Sequence, residues 1–290
     1  MRLAIINPWG WLSFVAALNA LLPAALKTLS DEGFFIALSL GFGHSFVIWI
    51  SLIIVYLLAA RTACVSKLNA RLLPLYGFIS LLLIVPWAQL SWVCCALVAV
   101  IWGAQKGISP TSRAASVVMF AVAIREPTTQ LCLTLFADQI LTIDATLATA
   151  LLWLFSDAVE IQSNIIKPSG EFSLMILTGC SAFGNLSLAL LLWLAFTLHR
   201  QSALIPQDMI RAGLIITTVL LINSLRLALM SLSEPWYTRL HTGDGANIVN
   251  GLVLIVPLLF VRWSRHDQPQ TQLFSLTASR FDYRAPDKGV

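Results

Sequence analysis

The sequence predicts an all-α fold: a polytopic membrane protein of about eight transmembrane helices, with one extra interfacial or re-entrant helix. Three observations carry that expectation. Of the 290 residues, 58% are hydrophobic and only 11% are charged, and the mean hydropathy is +0.83. A soluble domain is closer to half apolar and a quarter charged. The apolar residues gather in runs long enough for the ~30 Å hydrocarbon layer, which takes about 20 helical residues to cross. Basic residues cluster in alternate connections between those runs, and the others hold mainly acids, the pattern that keeps Lys and Arg in the cytoplasm.

In chain order, spans are expected at 5–26, 34–60, 72–88, 89–105, 115–136, 179–198, 210–231 and 246–262. The first, NPWGWLSFVAALNALLPAAL, follows a single early charge, Arg2, and precedes further spans. It therefore reads as a spanning helix rather than a cleaved signal peptide. Arg61, Lys67 and Arg71 follow the second span, and Lys106 and Arg113 follow the fourth. Arg200 and Arg211 flank the turn after the sixth, while Arg262, Arg265, Arg280, Arg284 and Lys288 follow the eighth. The other connections hold Asp31 and Glu32, then Asp157, Glu160 and Glu171, then Glu234 and Asp244. That alternation puts both termini in the cytoplasm. Between Arg113 inside and Asp157 outside the number of crossings must be odd. The ninth apolar piece, 141–156 with Asp144 in it, is thus expected along the outer interface or as a re-entrant dip. Arg125-Glu126-Pro127 interrupts the fifth span, and Asp144 has no evident partner. Residues 1–263 read as one multi-span domain, and 264–290, polar with Pro269 and Pro286, as a cytoplasmic tail.

Composition also excludes. The formal charge of +4 comes without a basic patch interleaved with aromatics, so no nucleic-acid partner is expected. Five cysteines (Cys64, Cys94, Cys95, Cys132 and Cys180) are odd in number and lack C-x-x-C spacing. Neither a zinc site nor a disulfide framework follows, and no metal or cofactor is expected. G-x-S-G, G-x-G-D and H-E-x-x-H protease motifs are all missing.

The chemistry-bearing residues cluster late. Cys180 sits among small residues in GCSAFG, at the outer end of the sixth expected span. Asn223 and Arg226 lie near the outer end of the seventh, one helical turn apart on one face. His241 stands in the external connection SLSEPWYTRLHTGDGAN. A thiol nucleophile, a fixed cation for an oxyanion and a proton carrier together suit acyl transfer through a thioester. Each also has a plain reading: an inert small residue for Cys180, a snorkelling helix-end Arg226, a solvated loop His241 and an interhelical amide for Asn223. Trp193, Trp236 and Tyr237 read as interfacial aromatics. The stretch SNIIKPSGEFSLMILTG before Cys180 is expected to form a short extended piece able to pair with an extended substrate segment.

Cys180-Ser181-Ala182 opening a span, then Asn223-x-x-Arg226 one helical hairpin later, then His241 in the next connection, resembles the exosortase/archaeosortase family of membrane cysteine transpeptidases. The resemblance covers roughly residues 155–262. It implies Cys180 as nucleophile, Arg226 as stabiliser of the oxyanion and thiolate, His241 as acid/base, and Asn223 and Ser181 as supporting residues. It implies as partners the membrane lipid and exported proteins ending in a Pro-Glu-Pro type motif, an apolar span and a basic tail. The setting implied is the bacterial inner membrane, with the site facing the periplasm. The family pattern is usually Cys-Ser-Gly, and this chain has Ala182 in the third place. The residues alone also admit a transporter or a membrane acyltransferase-like protein whose Arg226 and His241 bind an anionic group.

Overall fold

The computed structural model describes residues 7–61, 70–155, 158–168 and 172–263. Lys67, Asp157, Glu171, Cys64 and the expected tail over 264–290 lie outside the described residues. The described residues are nearly all helix, in eleven α-helices and one small sheet. Helix α1 (Pro8–Glu32) opens on Asn7, whose side-chain oxygen accepts the Trp9 N–H at 2.9 Å, and stops at Gly33 with φ 77°. After α2 (Phe34–Ser39) the chain turns through Gly41, Phe42 and Gly43, all at positive φ, before Ser45 caps α3 (Phe46–Ala60). At Gly43 a Cβ would come within 2.6 Å of Thr28 Oγ1 on α1, so the turn needs a glycine for space as well as for φ.

The count of eight full spans is corrected. Among the described residues four helices are long and apolar enough to cross a membrane: α1, α8 (Ala182–Gln201), α9 (Pro206–Ser231) and Gly245–Arg262 within α11 (Gly243–Trp263). A fifth results if α6 (Pro110–Leu135) and α7 (Ala137–Leu152), bent by 86° at their junction, count as one. The reason is length. The glycine turn shortens 34–60 to a 15-residue α3, about 22 Å at 1.5 Å per residue. Helices α4 (Leu73–Leu82) and α5 (Ala88–Gly103) form a short hairpin. Its turn carbonyls, Leu83 and Val85, accept from Asn19 Nδ2, which sits halfway along α1. The hairpin therefore turns back midway along α1. Hydropathy registers the apolar runs and misses these turns.

Helix α6 continues through Arg125-Glu126-Pro127 and breaks only at Phe136. Beyond it α7 packs against α9, with the sheet beside it. Strands β1 (Glu160–Gln162), β2 (Ile165–Lys167) and β3 (Leu174–Met175) form an antiparallel meander in the order β1-β2-β3. The extended piece expected before Cys180 is thus present as two strands of a three-stranded sheet. Helix α6 runs antiparallel to α8, since Thr111 meets Ser202 and Arg125 meets Ser187. Helices α3 and α11 end beside the end of α8, where Arg61 reaches His199 and Arg200 reaches the Val261 carbonyl. One end of the molecule therefore gathers Arg61, Arg200 and Arg211. The other gathers the sheet, the start of α8, the end of α9 and the short helix α10 (Glu234–His241).

Candidate active site

Cys180 closes a single 3₁₀ turn, Thr178–Cys180, in which its N–H donates to the Leu177 carbonyl at 2.8 Å. Ser181 follows in extended conformation and caps α8, its hydroxyl accepting the Phe183 N–H at 3.2 Å. Ala182 is the first residue of α8, and positive φ does not occur there. Ordinary helix geometry at this position accepts alanine without the backbone freedom of glycine.

His241 is the last residue of α10 rather than a loop residue, which corrects the expectation drawn from its polar surroundings. Its Nδ1 lies 3.5 Å from Cys180 Sγ, across 61 residues of sequence. The imidazole stacks on Tyr237 of the same helix, with centroids 4.8 Å apart and planes 14° apart, and Tyr237 packs in turn against Phe172 beside β3. The ring contact fixes the plane of the imidazole whose Nδ1 meets the sulfur.

Arg226 is 8% exposed. Its Nε donates to the Leu240 carbonyl at 3.1 Å, fixing the backbone immediately before His241. Its two Nη groups have no hydrogen-bond partner among the described residues. Asn223, one turn earlier, does not meet Arg226; its Nδ2 donates to the Cys180 carbonyl at 3.2 Å. The structure thus brings Cys180, Ser181, Asn223, Arg226 and His241 to one end of the bundle. Among the described residues, the side-chain hydrogen bond within the set Cys180, Arg226 and His241 joins Cys180 to His241.

One residue of this cluster had no partner in the sequence. Asp144 on α7 is 4% exposed, and its Oδ2 accepts the Ala182 N–H at 3.1 Å. The Ser181 side chain interacts with the same carboxylate. Helix starts leave N–H groups unpaired and carry partial positive charge, so a carboxylate is stabilised there. Asp144 therefore ties α7 to the turn that carries Cys180. The available signal was a lone acid in an apolar segment, which points to an unseen partner without naming it. Trp193 corrects another expectation: it is 6% exposed and lies in the middle of α8, away from either helix end. Among the described residues no group of three or more His, Cys, Asp or Glu gathers as a metal site would require.

Among known proteins, no family model, curated protein or solved structure matches this chain.

Proposed function

We propose that this protein is a cysteine peptidase or transpeptidase of the exosortase type, embedded in the bacterial inner membrane. It cleaves C-terminal sorting signals of exported proteins at the outer face. One observation carries the reading: the thiol of Cys180 and the imidazole of His241, 61 residues apart, meet at 3.5 Å. Arg226 holds the neighbouring backbone.

In this mechanism the Cys180 thiol gives its proton to His241 Nδ1, and the thiolate attacks the scissile carbonyl carbon. The Nη groups of Arg226 donate to the oxygen that becomes negative. As the C–N bond breaks, His241 returns the proton to the leaving amine, and a thioester remains on Cys180. Water or an amine then attacks the thioester and regenerates the thiol. A substrate anchored by its own C-terminal span meets Cys180 within the membrane plane. Its effective concentration replaces much of the affinity the motif would otherwise need.

The test is processing of a reporter that ends in a Pro-containing motif, an apolar span and a basic tail. Cys180→Ala and Cys180→Ser are expected to lower processing by at least about 10³-fold, with unchanged thermal unfolding in detergent. Native-rate processing by either variant would remove Cys180 as nucleophile.

A further inference from the structure

The sheet ends in an edge whose backbone is largely unpaired among the described residues. Ile176 N–H donates to the Asn164 carbonyl at 2.9 Å, and Asn164 Nδ2 donates to the Ile176 carbonyl at 2.8 Å. Residues 164 and 176 therefore face each other in the hydrogen-bonded position. Antiparallel pairs alternate, so the next pair, Ile165 with Met175, is the non-bonded one. The Met175 N–H and C=O, and the Leu177 N–H, consequently point away from β2, and none has a partner among the described residues. The Leu177 carbonyl alone on this side is used, by Cys180.

The edge is open as well as unpaired. Met175 and Leu177 are each 55% exposed, while Leu174 and Ile176 are buried against the cluster that includes Cys180. Thr178 and Gly179 are exposed, and a Cβ added at Gly179 would meet nothing within 4 Å. Three residues beyond this edge stands Cys180. The chain beyond Trp263 leaves α11 at the opposite end of the bundle, beside Arg200, and so does not start near this edge.

We propose that the outer edge of β3 and its continuation, from Met175 to Leu177, is a docking edge for an extended peptide segment of a membrane-anchored protein. The segment adds as a fourth strand and is led by its register toward Cys180. This role rests on the proposed transpeptidase reading. The chemistry favours a peptide because two donors and one acceptor in strand register match another strand's backbone. Unpaired backbone groups are costly in hydrocarbon, so lipid tails make a poor cover. Recognition through the backbone leaves specificity to side chains that fall beside Leu177, Thr178 and Gly179.

The experiment uses the full chain carrying Cys180→Ala, reconstituted in vesicles with a synthetic peptide. That peptide has a short polar segment bearing a benzophenone, a leucine-alanine span of about 20 residues and a lysine tail. Photocrosslinks are expected within 175–179. N-methylation of single amides in the polar segment is expected to lower their yield about fivefold at alternate positions, the effect of one lost hydrogen bond. Met175→Pro, compared with Met175→Ala so that the loss of the exposed Met side chain is shared, removes the outward N–H and is expected to lower it similarly. Equal yields from parent and N-methylated peptides, or from Met175→Pro and Met175→Ala, would overturn the edge. Crosslinking needs no reaction at Cys180. An edge that holds while Cys180→Ser still processes reporter would therefore sink the nucleophile and leave the docking edge standing.

Discussion

Residues 8–135 and 137–263 bury polar groups of different kinds. In the first region the described buried polar residues are all hydroxyls: Ser13, Ser51, Ser91, Ser112, Ser116 and Thr129. Ser13, Ser51 and Ser116 donate to carbonyls three or four residues back in their own helix, while Ser91 and Ser112 accept from Asn19 and Trp102 on neighbouring helices. The second region buries Asp144, Asp208, Arg211, Asn223 and Arg226 as well. Asp144, Asn223 and Arg226 bind backbone of a different element. A hydroxyl satisfied by its own helix carries no information about which helix lies next to it. A carboxylate or amide that needs a distant N–H or C=O does. Apolar packing between helices in lipid discriminates weakly, so these cross-element bonds specify the arrangement of the site-bearing half.

The largest effect that sharpens this contrast is expected at Arg226. Arg226→Lys keeps a cation able to reach the Leu240 carbonyl but loses the planar fork of donors. If Arg226 stabilises an oxyanion, reporter processing should fall by about 10²–10³-fold with the fold intact. If it only pins Leu240, the Lys variant should process at the native rate. Parallel thermal unfolding in detergent separates the two, because pinning predicts a shared loss of stability and rate in Arg226→Ala alone.

Which parts of this were legible in the sequence follows the same division. Composition and apolar runs disclosed a mainly helical membrane protein, and the charge alternation matches the gathering of Arg61, Arg200 and Arg211 at one end. Shared depth allowed Cys180 and His241 to meet without requiring it, and the 3.5 Å contact comes from the folded chain alone. The number of full spans did not, because Gly41, Gly43 and the Asn19-tied turn at Leu83 and Val85 shorten helices inside apolar stretches. Helical spacing puts Asn223 and Arg226 on one face. Spacing gives the face a side chain occupies, and its partner at Cys180 comes from another helix. Asp144 was visible as an anomaly but not as a contact, since nothing in the sequence brings α7 to the start of α8.

A smaller effect is expected at Asp144. Asp144→Ala leaves the Ala182 N–H buried without its acceptor and should cost about 1–3 kcal/mol. Asp144→Asn retains an acceptor oxygen and should recover most of that loss. Both are read as shifts in detergent thermal unfolding. Equal destabilisation by the two variants would mean that packing, not the bond to α8, is what Asp144 supplies.

The smallest effect belongs to the first region, at Ser13. Its hydroxyl donates to the Gly10 carbonyl at 2.8 Å within α1. The contact from α5 reaches the Ser13 backbone instead, where Cys95 Sγ meets its carbonyl at 3.4 Å. Ser13→Ala therefore deletes a bond inside one helix and leaves the interhelical contact in place. Alanine is the better helix former, and the Gly10 carbonyl keeps its place in the α1 hydrogen-bond ladder. The expected change in unfolding free energy is within about 0.5 kcal/mol, with reporter processing unaltered. A loss as large as that of Asp144→Ala would break the comparison, because self-satisfied hydroxyls would then be specifying helix partners too.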